Sequence, residues 1–110
     1  GNTIGGSLPG AGNLISGNDG VGIWILGASN SVVGNLIGTD ITGTAALGNL
    51  QQGIRLQGNF NTIGGPNPSD RNIISGNLAS GISVPAAASN LIEGNYIGLS
   101  LSGATSLGNQ

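Results

Sequence analysis

The chain is 110 residues long, with two basic residues, four acidic ones and no histidine. So few cations cannot neutralise a run of phosphates or hold an anionic membrane surface, which argues against nucleic-acid partners and electrostatic membrane attachment. The absence of cysteine removes disulfides and thiolate metal sites, and no apolar run reaches the length of a bilayer span, so no membrane insertion is expected.

From the N-terminus, the first strand-like phrase is Asn2-Thr3-Ile4. It is followed by Asn13-Leu14-Ile15, a third asparagine at Asn18, and Gly22-Ile23-Trp24-Ile25. These four steps then return in the same order. The first phrase, strand a, recurs at Asn30, Asn61 and Asn90. The second, strand b, recurs at Asn35, Asn72 and Asn95, and the third asparagine at Asn49, Asn77 and Asn109. Strand c recurs as Gly53-Ile54-Arg55-Leu56 and Gly81-Ile82-Ser83-Val84. Of fourteen asparagines, only Asn59 and Asn67 fall off this beat.

Longer phrases repeat as well. Asn2-Thr3-Ile4-Gly5-Gly6 returns at Asn61, 59 residues on, and Gly34-Asn35-Leu36-Ile37-Gly38 returns at Gly94, 60 residues on. The long period is therefore about sixty, and each period divides into two units. The coils are 2–29, 30–60, 61–89 and 90–110, within one segment covering 1–110. The tightest connections define a minimal coil of 22 residues. Odd coils carry extra residues at the a–b corner (5–12 and 64–71), and even coils at the b–c corner (39–48 and 99–108). Insertions confined to corners are what a solenoid tolerates.

Gly and Pro make up 27 of the residues, yet thirty Ile, Leu, Val and Phe are spaced regularly, which predicts a folded chain. Apolar residues fall two apart, β-branched types dominate, and glycine interrupts every few positions, so strands are expected and sustained helix is not. Three short strands per coil predict an all-β, triangular, parallel β-helix, and the usual hand of parallel crossovers makes it right-handed. Residues at Asn and Asn+2 share a face, so asparagines beside inward Ile also point inward. A buried amide needs partners, and the asparagine one coil away, about 4.8 Å off, supplies them. The predicted ladders are Asn2, Asn30, Asn61 and Asn90; Asn13, Asn35, Asn72 and Asn95; and Asn18, Asn49, Asn77 and Asn109.

With these phrases in this order, the chain resembles right-handed parallel β-helix proteins of the pectate-lyase-like fold. It is most similar to bacterial extracellular repeat proteins that reiterate N-T-I-G-G, N-x-I-S-G-N, G-N-x-I-G and A-L-G-N, and the likeness covers essentially the whole chain. The resemblance implies the fold. For activity it implies less, because such repeats occur both in enzymes and in surface proteins without catalysis. Lyases of this fold use clustered acidic calcium ligands with a basic proton acceptor, and the hydrolases use clustered aspartates.

No such cluster is visible here. Asp19, Asp40 and Asp70 belong to different corner regions and Glu93 to strand a, whereas a glycosidase needs two carboxylates within about 10 Å. Arg55 stays protonated and is a poor base. The turn Gly17-Asn18-Asp19-Gly20 has the look of a calcium-binding β-roll, but later coils place Leu50 and Leu78 where Asp19 stands. The outward positions Thr3, Ser31, Thr62, Leu91 and Trp24, Arg55, Ser83 do not form a regular threonine face of the ice-binding kind. No catalytic, cofactor or metal site is expected.

The outward position of strand b reads Leu14, Leu36, Ile73, Tyr96, an apolar stripe that should be covered. An inserted loop using Leu8, Leu47 or Leu107 is the expected cover, and lateral association with another solenoid or an adjacent domain is the alternative. The chain opens on strand a and stops before a fourth strand c, with no cap in view, giving about 3.7 coils. An excerpt of a longer array, or copies stacked end to end, is the expectation. The function expected is architectural: a stiff segment of a secreted or cell-surface adhesin, sheath or extracellular filament, with copies of itself or further repeats as partners. A carbohydrate-binding or carbohydrate-processing fragment whose active residues lie outside the segment is the rival, with polysaccharide as its partner.

Overall fold

A computed structural model describes all residues, 1–110. Eleven strands follow one another: β1 (Thr3–Gly5), β2 (Leu14–Ile15), β3 (Ile23–Ile25), β4 (Ser31–Val33), β5 (Leu36–Ile37), β6 (Ile54–Leu56), β7 (Thr62–Gly64), β8 (Ile73–Ile74), β9 (Ile82–Ser83), β10 (Leu91–Glu93) and β11 (Tyr96–Ile97). They form three parallel sheets, ordered β1-β4-β7-β10, β2-β5-β8-β11 and β3-β6-β9. Every third strand thus stacks on its predecessor, and the chain is a parallel β-solenoid with three strands per coil, as the repeat predicts.

The register keeps like on like. Ile4 pairs with Val32, Val32 with Ile63 and Ile63 with Ile92 in the first sheet. Ile15, Ile37, Ile74 and Ile97 align in the second, and Ile23, Ile54 and Ile82 in the third. A slip of one residue would turn all of these outward, so the inward apolar set fixes the register. The core is their common interior, where Val32, Ile37, Ile54, Leu56, Ile63 and Ile74 lose all exposure. Each such side chain contributes roughly 1.5–3 kcal/mol of burial.

Strand c of coil 3 ends at Ser83, earlier than the phrase Gly81–Val84 predicts. In coil 2 the backbone N–H of Gln57 reaches Ile25 O at 2.8 Å. Pro85 occupies the corresponding place one coil on, has no N–H to offer, and so closes the ladder.

The corner insertions form two ledges on opposite edges of the second sheet. The a–b loops of coils 1 and 3 meet across the tight corner of coil 2, where Ser7 Oγ donates to Asp70 Oδ1 at 2.6 Å and Gly34 N–H to Asp70 O at 3.2 Å. Gly34 has φ +71°, and a Cβ there would strike the carbonyl of Gly6. A short 3-10 turn, Pro68–Asp70, shapes this loop. The b–c loops of coils 2 and 4 meet in the same way across coil 3, with Leu101 N–H donating to Gly43 O at 2.8 Å. Each is a small antiparallel turn, bridged at Thr39 and Ala46 or at Leu99 and Ser106. The principal extents are 31 × 28 × 19 Å.

Candidate functional site: asparagine ladders and the outer faces

The twelve asparagines on the beat stand in three columns, one at each corner. At the a–b corner, Asn13 Nδ2 donates to Asn35 Oδ1 at 3.0 Å, Asn35 Nδ2 to Asn72 at 3.0 Å and Asn72 Nδ2 to Asn95 at 2.9 Å. Before strand c, Asn18, Asn49, Asn77 and Asn109 are joined likewise at 2.7, 2.8 and 2.9 Å. Before strand a, Asn2 and Asn30 donate to Asn30 and Asn61 at 3.2 and 3.0 Å, while Asn61 meets Asn90 through its backbone N–H at 2.7 Å. Asn35, Asn49, Asn61, Asn72 and Asn77 are at most 1% exposed.

Every link but that of Asn61 to Asn90 is double, Asn61 Nδ2 turning instead to Gly27 O at 3.1 Å. The Oδ1 of one asparagine accepts both Nδ2–H and the backbone N–H of the asparagine in the preceding coil, as Asn72 does from Asn35 at 3.0 and 2.9 Å. The second Nδ2 hydrogen goes to a main-chain carbonyl, Val32 O at 2.8 Å for Asn72 and Ile74 O at 2.9 Å for Asn109. A carboxamide has one acceptor and two donors in fixed geometry, and this corner uses all of them. Donors face one way along the stack and acceptors the other, so the columns have direction.

Glycines make room for these amides, a role the composition does not reveal. Gly64 has φ +85°, and a Cβ there would lie 2.6 Å from Asn95 Oδ1; at Gly53 a Cβ would lie 2.8 Å from Asn77 Nδ2. At the corner preceding strand a the same left-handed turn is made without glycine, by Ser29, Phe60 and Ser89 at φ 62°, 57° and 56°. The two asparagines off the beat act in corners. Asn59 Oδ1 accepts Ala88 N–H at 2.8 Å, and Asn67 donates to Asp70 Oδ2 from N–H and Nδ2 at 3.2 and 2.9 Å.

No three of the acidic side chains come together. Asp70 is held by Ser7 and Asn67, whose hydrogen bonds keep its carboxyl below the ordinary carboxylate range. Asp40 is lowered chiefly by Thr42 Oγ1, at 2.7 Å, with Ala45 and Thr44 N–H adding to it. Both are clamps on loops.

The strand-b stripe is covered unevenly. Ile73 is 2% exposed and Leu14 42%. The cover comes from the inserted b–c loops, as expected, but through Gly43, Leu101 and Gly103; Leu8 and Leu47 stay 77% and 51% exposed, Leu8 at the wall of a cleft over Leu14, and Leu107 is half-buried. The reason is steric, since the loops settle onto the sheet at glycines, where backbone approaches closest. A Cβ on Gly103 would lie 2.7 Å from the Tyr96 ring, and Arg71 stacks on that ring with Cζ 4.0 Å from its centroid. On the third sheet Trp24 projects outward, its Nε1–H donating to Gln57 Oε1 at 2.6 Å and the Arg55 guanidinium lying 5.3 Å from the ring centroid.

Compared with protein-family models, curated proteins and solved structures, the chain matches none.

Proposed function

We propose that this chain is a non-catalytic structural β-solenoid: a stiff segment of a secreted or cell-surface adhesin, sheath or extracellular filament, in which further coils continue the stack head to tail. We also place it with the bacterial N-T-I-G-G and N-x-I-S-G-N repeat proteins that its phrases resemble. The observation that carries the reading is the set of three directional asparagine columns, which tie every coil to the next by paired hydrogen bonds. Pulling along the stack must break buried, mutually satisfied amides, each costly to leave unpaired. Single-molecule stretching tests this: the chain should rupture at higher force than a globular reference domain of equal length in the same experiment. Rupture below the reference sinks the reading.

A second reading, polysaccharide binding, draws on Trp24. It is 57% exposed on a flat sheet, with its N–H already bonded and Arg55 beside it. Calorimetric titration with oligosaccharides would show binding that Trp24→Ala abolishes. Heat changes indistinguishable from dilution across neutral and acidic glycans would remove this reading.

A further inference from the structure

The outer face of the second sheet occurs in two states within one chain. Over coil 3 it is closed. The b–c loops of coils 2 and 4 join there through Leu101 N–H and Gly43 O, and a Cβ on Gly43 would lie 2.8 Å from that of Leu101 and 3.4 Å from Leu36. Beneath them Ile73 is 2% exposed. Over coil 1 the face is open: Leu14 is 42% exposed at the floor of a cleft of about 360 Å³, which is walled by Leu8 and by Ile41. Ile41 is the sixty-residue counterpart of Leu101, and Gly43 that of Gly103. Ile41 is 72% exposed.

We propose that the cleft over Leu14 receives the Leu99–Gly108 loop of a second copy of this chain, Ile41 of one copy seating on Gly103 of the other as Leu101 seats on Gly43. The closed site supplies the template for the open one. The same repeat translation sets coil 1 of one copy on coil 4 of the next. It carries the N–H of Asn95 in the second copy to Oδ1 of Asn13, as Asn72 N–H reaches Asn95 Oδ1 at 3.2 Å within the chain. The alternation of loops stays in phase, because an even coil meets an odd one. An apolar wall of leucine and isoleucine with one glycine-lined seat fits a loop of this kind better than a charged partner, and the cleft's only charged side chain is Arg71. This inference rests on the head-to-tail structural reading and adds to it the residues at the joint.

Sedimentation velocity over a concentration series tests it. The wild-type chain should associate, and Ile41→Asp should raise the concentration needed by roughly tenfold or more, since it buries an unpaired carboxylate at the seat. Leu26→Asp, 67% exposed near the third sheet, should change nothing. Both positions are exposed, so unchanged melting curves certify folding. The chain has no cysteine, so an Ile41→Cys copy mixed with an Ala104→Cys copy should yield a mixed disulfide dimer under mild oxidation. A monomer at every concentration, or association indifferent to Ile41→Asp, overturns the docking. A monomeric chain that still resists stretching leaves the structural reading standing; one that associates as specified yet ruptures below the reference refutes that reading alone.

Discussion

Asparagine is an unusual core residue, and its use here follows from what one carboxamide does inside a stack. Asn35 accepts from Asn13 N–H and Nδ2, and donates through Nδ2 to Asn72 Oδ1, Ile4 O and Val33 O, while 1% exposed. Asn35→Leu keeps the branching of the side chain, though with bulkier methyl groups, and strands several of these groups at once. A loss of about 3 kcal/mol is expected in urea denaturation, at the upper end of what one unsatisfied buried group costs. Asn2→Leu, at an exposed position of a neighbouring column, should cost roughly 1 kcal/mol or less. Equal losses would mean that burial is irrelevant to the column. Glycine is the other half of the corner. Gly64→Ala combines a left-handed φ with a collision against Glu93 O and Asn95 Oδ1, and should cost at least about 2 kcal/mol in the same assay. A cost near zero would show that the corner relaxes freely.

At the scale of elements, strands were more legible than corners. The strands follow from Asn and Ile falling two apart, a local pattern that tertiary contacts then confirm. Corner paths were less legible because main-chain contacts set them: Leu101 N–H on Gly43 O, or Ser7 Oγ on Asp70, joins residues about sixty apart with no signature in either segment. The left-handed turns at Ser29, Phe60 and Ser89 are hidden for a related reason, since no glycine marks them. Of the outer faces, the stripe on the second sheet was visible as alternation and its cover by an inserted loop was expected, but the residues that make the cover, Gly43, Leu101 and Gly103, were not. The loops also carry the pH dependence. Asp40 and Asp70 have carboxyls lowered in the folded chain, so the stability they lend is fully present above the unfolded value of roughly 3.9 and is lost as pH falls through the folded values. With no histidine in the chain, the melting temperature should stay flat from about pH 8 to about pH 5 and fall below about pH 4. The doubly substituted Asp40→Ala, Asp70→Ala chain should show a smaller acid drop, and a drop of full size in it would assign the effect elsewhere.

As a whole, the molecule is broader than it is tall: its shortest extent, 19 Å, matches four coils at about 4.8 Å each. Stability in such a stack is close to a sum over coils and the contacts between neighbours, so adding coils should help and removing them should hurt. The ledges impose a further condition. A folded corner loop is about as thick as two strand spacings, and Ser7 and Asp70 touch only because the corner of coil 2 between them is reduced to Gly34. Deleting residues 30–60 would set two such loops one spacing apart, and the product should fail to melt cooperatively. Inserting a second copy of residues 30–89 after Ser89 preserves the order and should raise the melting temperature; the reverse ranking would refute the steric account. The chain is laid like masonry in alternate bond, each course leaving a recess for the projection of the next. Length can then be added or taken away only in pairs of courses, and a sixty-residue beat is the written form of that constraint.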